Sequence, residues 1–136
     1  MRTLQDFFSA EEQRINAINI KKVYIDMCEG DIESGLVLSV ISVWNIPDCE
    51  ESKEKVSRGG EMWMPIKYDE WWDMYRLDSN QVHRAIAIID GLGLIDRKEY
   101  DDCGALIRII EGNFLKAFDN YLSSPLKKSP DGGYHE

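Results

Sequence analysis

A chain of 136 residues with 43% hydrophobic and 30% charged residues fits one domain with a short appendage at either end. Twenty-five Asp and Glu against 16 Lys and Arg leave a formal net charge of −9. That balance excludes a polycation that coats nucleic acid or anionic membranes by charge alone, although a small local cluster can still meet phosphates.

In chain order, the first predicted helix runs from Thr3 to Ala17, with Leu4, Phe7, Phe8, Ile15 and Ile18 at helical spacing. A short segment, Lys21 to Glu29, carries Val23, Tyr24 and Met27 on one face and ends at Gly30. Asp31 starts a longer helix whose predicted buried stripe is Ile32, Leu36, Val40, Val43 and Trp44, and Pro47 forbids its continuation. Residues 48–61 are polar and end in Gly-Gly, the pattern of a surface loop. Residues 62–66, Met-Trp-Met-Pro-Ile, read as an edge strand, because Pro65 lacks an N–H to donate. Tyr68 to Met74 reads as a helix closed by Leu77. Asp78 and Ser79 are both good N-caps for the next helix, in which Val82, Ala85, Ile86 and Ile89 share a face. Gly91 and Gly93 end it. Two strand-like runs follow as a hairpin around residues 101–104. Asn113 is the expected cap of a last helix with Phe114, Leu115, Phe118, Tyr121 and Leu122 on one side, and residues 123–136 read as a disordered tail.

Catalytic and metal signatures are missing from the sequence. There is no phosphate-cradling loop, no nucleophile elbow and no acidic cluster at nuclease spacing, so neither an enzyme nor a cofactor is expected. Cys28, Cys49 and Cys103 are odd in number and widely separated, and His83 and His135 share no ligand spacing with them. Reduced thiols in a cytoplasmic protein are the expected state. No apolar run approaches the roughly 18 residues of a membrane span, and the N-terminus lacks the features of a secretory signal.

From residue 31 on, the order is helix, loop, strand, helix, tight turn, helix, hairpin. In a helix-turn-helix two short helices cross steeply over a turn of a few residues. Here the turn is Tyr75-Arg76-Leu77-Asp78, with Leu77 as its plug. The second helix then turns Ser79, Asn80, Gln81, His83 and Arg84 outward, where amides and guanidinium groups suit base edges in the major groove. Arg97, Lys98 and Arg108 lie on the hairpin, where a wing would approach the backbone.

The stretches GLVLSVISVWNIP, WMPIKYDEWWDMYRL and DSNQVHRAIAIIDGLGLIDRK resemble the winged-helix domain of phage and plasmid replication proteins, including DnaD-type initiators. The matching residues include Trp44, Trp63, Trp71, Leu77, Val82, Arg84, Leu92, Gly93, Leu94 and Ile95, and the resemblance spans roughly residues 31–110. It implies an α+β, mostly α, winged helix-turn-helix with flanking helices: an N-terminal extension (1–30), the winged-helix domain (31–111) and a C-terminal helix (112–122). It also implies sequence-specific binding of double-stranded DNA in replication or its regulation.

Each residue has a plainer reading beside the functional one. Arg84 can contact DNA or pair with a carboxylate such as Asp73. Arg97 and Lys98 alternate with Asp96 and Glu99, as a solvated strand would. Trp44, Trp63 and Trp71 sit at apolar positions, whereas Trp72 points about 100° from Trp71 on a helix and marks a protein interface. Residues 61–100 hold five basic and eight acidic groups. DNA affinity of a lone copy is therefore expected to be weak. Leu4, Phe7, Phe8, Phe114, Phe118 and Tyr121 exceed what a small core absorbs and suggest a homodimer. The alternative function is an acidic adaptor or inhibitor that binds another protein, with carboxylates standing where phosphates would.

Overall fold

The computed structural model describes residues 3–13, 18–46, 55–101 and 103–127. Pro47, Cys49, Asp102, His135, the end of the first predicted helix (14–17) and most of the predicted tail lie outside them.

Three helices come first: α1 (Leu4–Gln13), α2 (Lys22–Met27) and α3 (Ile32–Trp44). Asp31 caps α3 by accepting from the Ser34 amide at 3.0 Å. This satisfies one of the N–H groups that a helix start leaves without a partner. Burial on α3 differs from the predicted stripe. Every residue from Ser34 to Ile41 is buried, while Ile32 and Val43 are exposed. The reason is that α2 packs on one side of α3 and α5 on another, so no polar face remains mid-helix. Gly35 makes the α2 contact possible, since a Cβ there would stand 2.8 Å from the Ile25 Cα.

Strands β1 (Val56–Arg58) and β2 (Glu61–Lys67) form a hairpin through Gly59-Gly60, both at positive φ. The predicted single helix at 68–74 is in fact two pieces, a 3-10 turn at Tyr68–Glu70 and α4 (Trp72–Tyr75). Arg76 ends α4 in the left-handed conformation (φ 57°), and Leu77 is buried in the following turn as expected. Helix α5 (Ser79–Gly91) opens on a capping box: the Asp78 carboxylate accepts from the Gln81 amide at 2.9 Å, and the Gln81 side chain accepts from the Asp78 amide at 2.8 Å. Gly93 turns the chain out of α5 at φ 75°.

Strands β3 (Ile95–Asp101) and β4 (Gly104–Ile109) form the second hairpin, and α6 (Glu111–Ser123) closes the described chain. Its N-cap is Ile110, not Asn113, whose side chain instead donates to the Gly93 carbonyl at 2.9 Å.

The architecture is α+β, with an antiparallel sheet of order β1-β2-β4-β3. This order corrects the edge assignment of 62–66, because β2 is internal and β1 takes the edge. Among the described residues, β1 pairs with β2 from Glu61 to Trp63, and Pro65 pairs with Leu106 of β4. One sheet face, through Met64, Ile66, Ala105 and Ile107, joins α3 and α5 in the core. Val82, Ala85, Ile86 and Ile89 bury the predicted face of α5 there. Among the described residues, no helix is long and apolar enough to cross a membrane.

Candidate nucleic-acid interface

The inward face of α5 fixes its outward one. Ser79, Asn80 and His83 are exposed. They line one wall of a cleft of about 660 Å³, with Tyr68, Asp69, Glu99 and Cys103 around the rest. His83 meets Tyr68 edge-on (5.0 Å between centroids), and its Nε2 lies 3.8 Å from Glu99. The Tyr68 hydroxyl donates to the same carboxylate at 2.8 Å. Burial first, then Glu99, push the Tyr68 phenol above its ordinary range, so it stays a neutral donor.

The other predicted contacts are engaged within the chain. Gln81 is committed to the cap, and its side-chain amide donates to Glu33 at 2.7 Å. Arg84 pairs with Asp31 at 2.8 Å and Glu33 at 3.2 Å. The plainer expectation of an ion pair was right in kind, but the partners come from the start of α3 rather than from Asp73. The hydrogen bond from Arg84, then those from Ser34, hold the Asp31 carboxyl down at about 2, against the opposing effect of its partial burial.

The hairpin residues do not act as one group. Adjacent strand positions point to opposite faces, so Arg97 and Lys98 separate. Arg97 turns to the helix side and pairs with Asp90 and Glu99, both at 3.4 Å. Lys98 and Arg108 lie on the outer face over the Trp63 ring, at 4.9 and 5.3 Å from its centroid. Arg108 also pairs with Glu61 at 2.8 Å and with Asp96 across the strands.

The predicted interface residues fall into two sets. Trp72 is 54% exposed with Arg76 over its ring, and Phe7 and Phe8 are also exposed. By contrast, Phe114 and Phe118 are half-buried against Tyr24, at 6.3 and 6.1 Å between centroids, so they complete the intramolecular core. The solvent side of α6 carries Leu115 and Leu122 instead.

Sequence reasoning did not anticipate Asp31 and Glu33 beside α5. Asp31 was legible as a cap, but its reach to Arg84 depends on how two distant helices pack. Core packing is the sequence reading for Trp63, which sits at an apolar position. Trp63 is buried, but under the outer face of the sheet and apart from the main cluster. Its position two residues from Pro65 on a strand that alternates with Met64 and Ile66 was the available signal. No cluster of His, Cys, Asp and Glu suited to a metal occurs among the described residues. Comparison with family models, curated proteins and solved structures gives no match.

Proposed function

We propose that residues 31–111 form a winged helix-turn-helix that binds double-stranded DNA in the replication, or replication control, of a phage, plasmid or prophage. The observation that carries this reading is the setting of α5. Its apolar face is buried, its polar N-terminal half stands in solvent, and it follows a tight turn and precedes a β-hairpin. The sheet order β1-β2-β4-β3, with its first hairpin joined to the second, supports the same reading. In it, Ser79, Asn80 and His83 meet the groove first. Arg84 reaches a base or phosphate only by leaving Asp31 and Glu33, so a single copy binds weakly and a dimer gains from two half-sites. Fluorescence titration of DNA fragments from the protein's own locus at low salt tests this. Specific binding that is lost with Asn80→Ala and weakened with Arg84→Ala is expected. Binding indifferent to both variants overturns it.

A second reading is favoured by one specific observation: Arg84, Arg97 and Arg108 are each paired with two carboxylates. The domain would then be an acidic adaptor or inhibitor, with those carboxylates presented to a DNA-binding protein. Purification from the native host distinguishes the two, since this reading requires a stoichiometric protein partner that DNA competes away.

A further inference from the structure

The side of the sheet turned away from the helices differs in charge from the rest of the molecule. Strand alternation and register put Val56 and Arg58 of β1 on this face, with Glu61, Trp63, Pro65 and Lys67 of β2. Leu106 and Arg108 of β4 and Asp96 and Lys98 of β3 lie on it as well, and the register puts Gly104 and, past the bulge, Asp101 at its end. Among these described residues there are four cations (Arg58, Lys67, Lys98, Arg108) and three acidic residues (Glu61, Asp96 and, at the end, Asp101), in a chain whose formal charge is −9. Arg58 and Lys98 form no ion pair among the described residues.

Trp63 is 4% exposed, and among the described residues neither its indole N–H nor Arg108 Nε beside it has a hydrogen-bond acceptor. A buried donor without an acceptor is costly, and native proteins rarely leave one so. The Lys98 ammonium lies over the same ring, and the two carboxylates nearby, Glu61 and Asp96, are already paired with Arg108. Alongside runs an apolar groove of about 340 Å³ lined by Val56, Pro65 and Leu106, with Arg58 at its rim.

We propose that this outer sheet face is a docking surface for an acidic peptide segment of a partner protein, which sets a carboxylate against Trp63, Lys98 and Arg108 and an apolar side chain in the Val56–Pro65–Leu106 groove. A peptide fits better than a nucleic acid for three reasons. The groove offers an apolar floor, for which a phosphate backbone has no group. The Trp63 ring is covered by cations, so it offers no face for base stacking. Glu61 and Asp96 lie between the cations, which suits spaced carboxylates and repels a continuous polyanion. The surface is distinct from the α5 face but includes Lys98 and Arg108 of the hairpin, so the α5 variant Asn80→Ala separates it from the DNA reading.

The test uses the full chain and a short fluorescein-labelled peptide alternating glutamate with leucine. Its counterpart with glutamine for glutamate and a single-stranded oligothymidylate serve as competitors. Anisotropy should show binding of the acidic peptide, with at least roughly tenfold weaker binding of the glutamine form. In the proton–nitrogen spectrum one indole resonance, assigned by its loss in Trp63→Phe, should move on binding. The exposed pair Arg58→Glu with Lys98→Glu should abolish binding without changing the melting temperature, and Asn80→Ala should leave it intact. The proposal is overturned by no binding at millimolar peptide, by equal binding of the glutamine form, by movement of another indole instead, or by displacement of the peptide by oligothymidylate at lower concentration.

Discussion

The guanidinium of Arg84 sits between two carboxylates, and neutralising one of them changes what an approaching polyanion meets. Glu33→Gln keeps an acceptor for the Gln81 amide but removes a charge beside α5. If the domain reads DNA, this variant should bind on the order of 3- to 10-fold tighter at low salt, by gel shift or anisotropy, because like charges at an interface are costly. If the carboxylates themselves are the binding feature, the same variant weakens the protein partner instead, so the sign of the change separates the two readings. Asp31 gives a pH prediction. Its folded-state value of about 2 lies below the ordinary 3.8, so the unfolded chain takes up the proton first as pH falls. The stability it contributes is complete above about pH 4 and lost between about pH 4 and pH 2. Urea midpoints measured across this window should fall less steeply in Arg84→Met than in the natural chain.

Helix α5 was the most legible element, because every signal for it is local: N-cap residues at Asp78 and Ser79, period-3.6 apolar residues and Gly93 after its end. The hairpin of β3 and β4 was legible for the same reason. What failed depended on partners distant in sequence. Whether β2 is an edge cannot be read from Pro65, which needs only one free side; the pairing with β1 and β4 decides it. The stripe on α3 failed because two helices, not one, cover it. In the candidate site, the outward placement of Ser79, Asn80 and His83 was legible from α5 alone. The engagement of Arg84 and the separation of Arg97 from Lys98 required the packed fold, although the strand period hinted at the second. Gly35 supplies a test at this scale. A methyl group there must push Ile25 away, with 2.7 Å to its Cγ1 and 2.8 Å to its Cα, and the second contact is backbone. Gly35→Ala should lower stability by about 1–3 kcal/mol in urea titration, despite the better helix propensity of alanine.

Across the whole molecule, α1 stands apart. It makes no extensive packing with the other described elements, and Leu4, Phe7 and Phe8 are 73%, 45% and 53% exposed. An apolar helix side left in water favours self-association. Sedimentation velocity should therefore show a concentration-dependent dimer, and Phe7→Glu with Phe8→Glu should return it to the monomer without loss of helix signal. A purely monomeric natural chain at high micromolar concentration would remove α1 from any half-site arrangement. The pairing of β2 with β4 has a consequence for time rather than for structure. Met64 meets Ile107, so the strands that complete the sheet must wait until α4, α5 and β3 have been gathered between them. Closing that loop costs entropy before it returns contacts. Docking of α5 on α3, which shortens the search, should therefore belong to the folding nucleus, and the β1 hairpin should be added late. In stopped-flow refolding, Ile86→Val should mainly slow folding, and Val56→Ala should mainly speed unfolding. The α5 face would then be assembled before the β1 edge, and a folding chain would hold its α5 surface before that strand is in place.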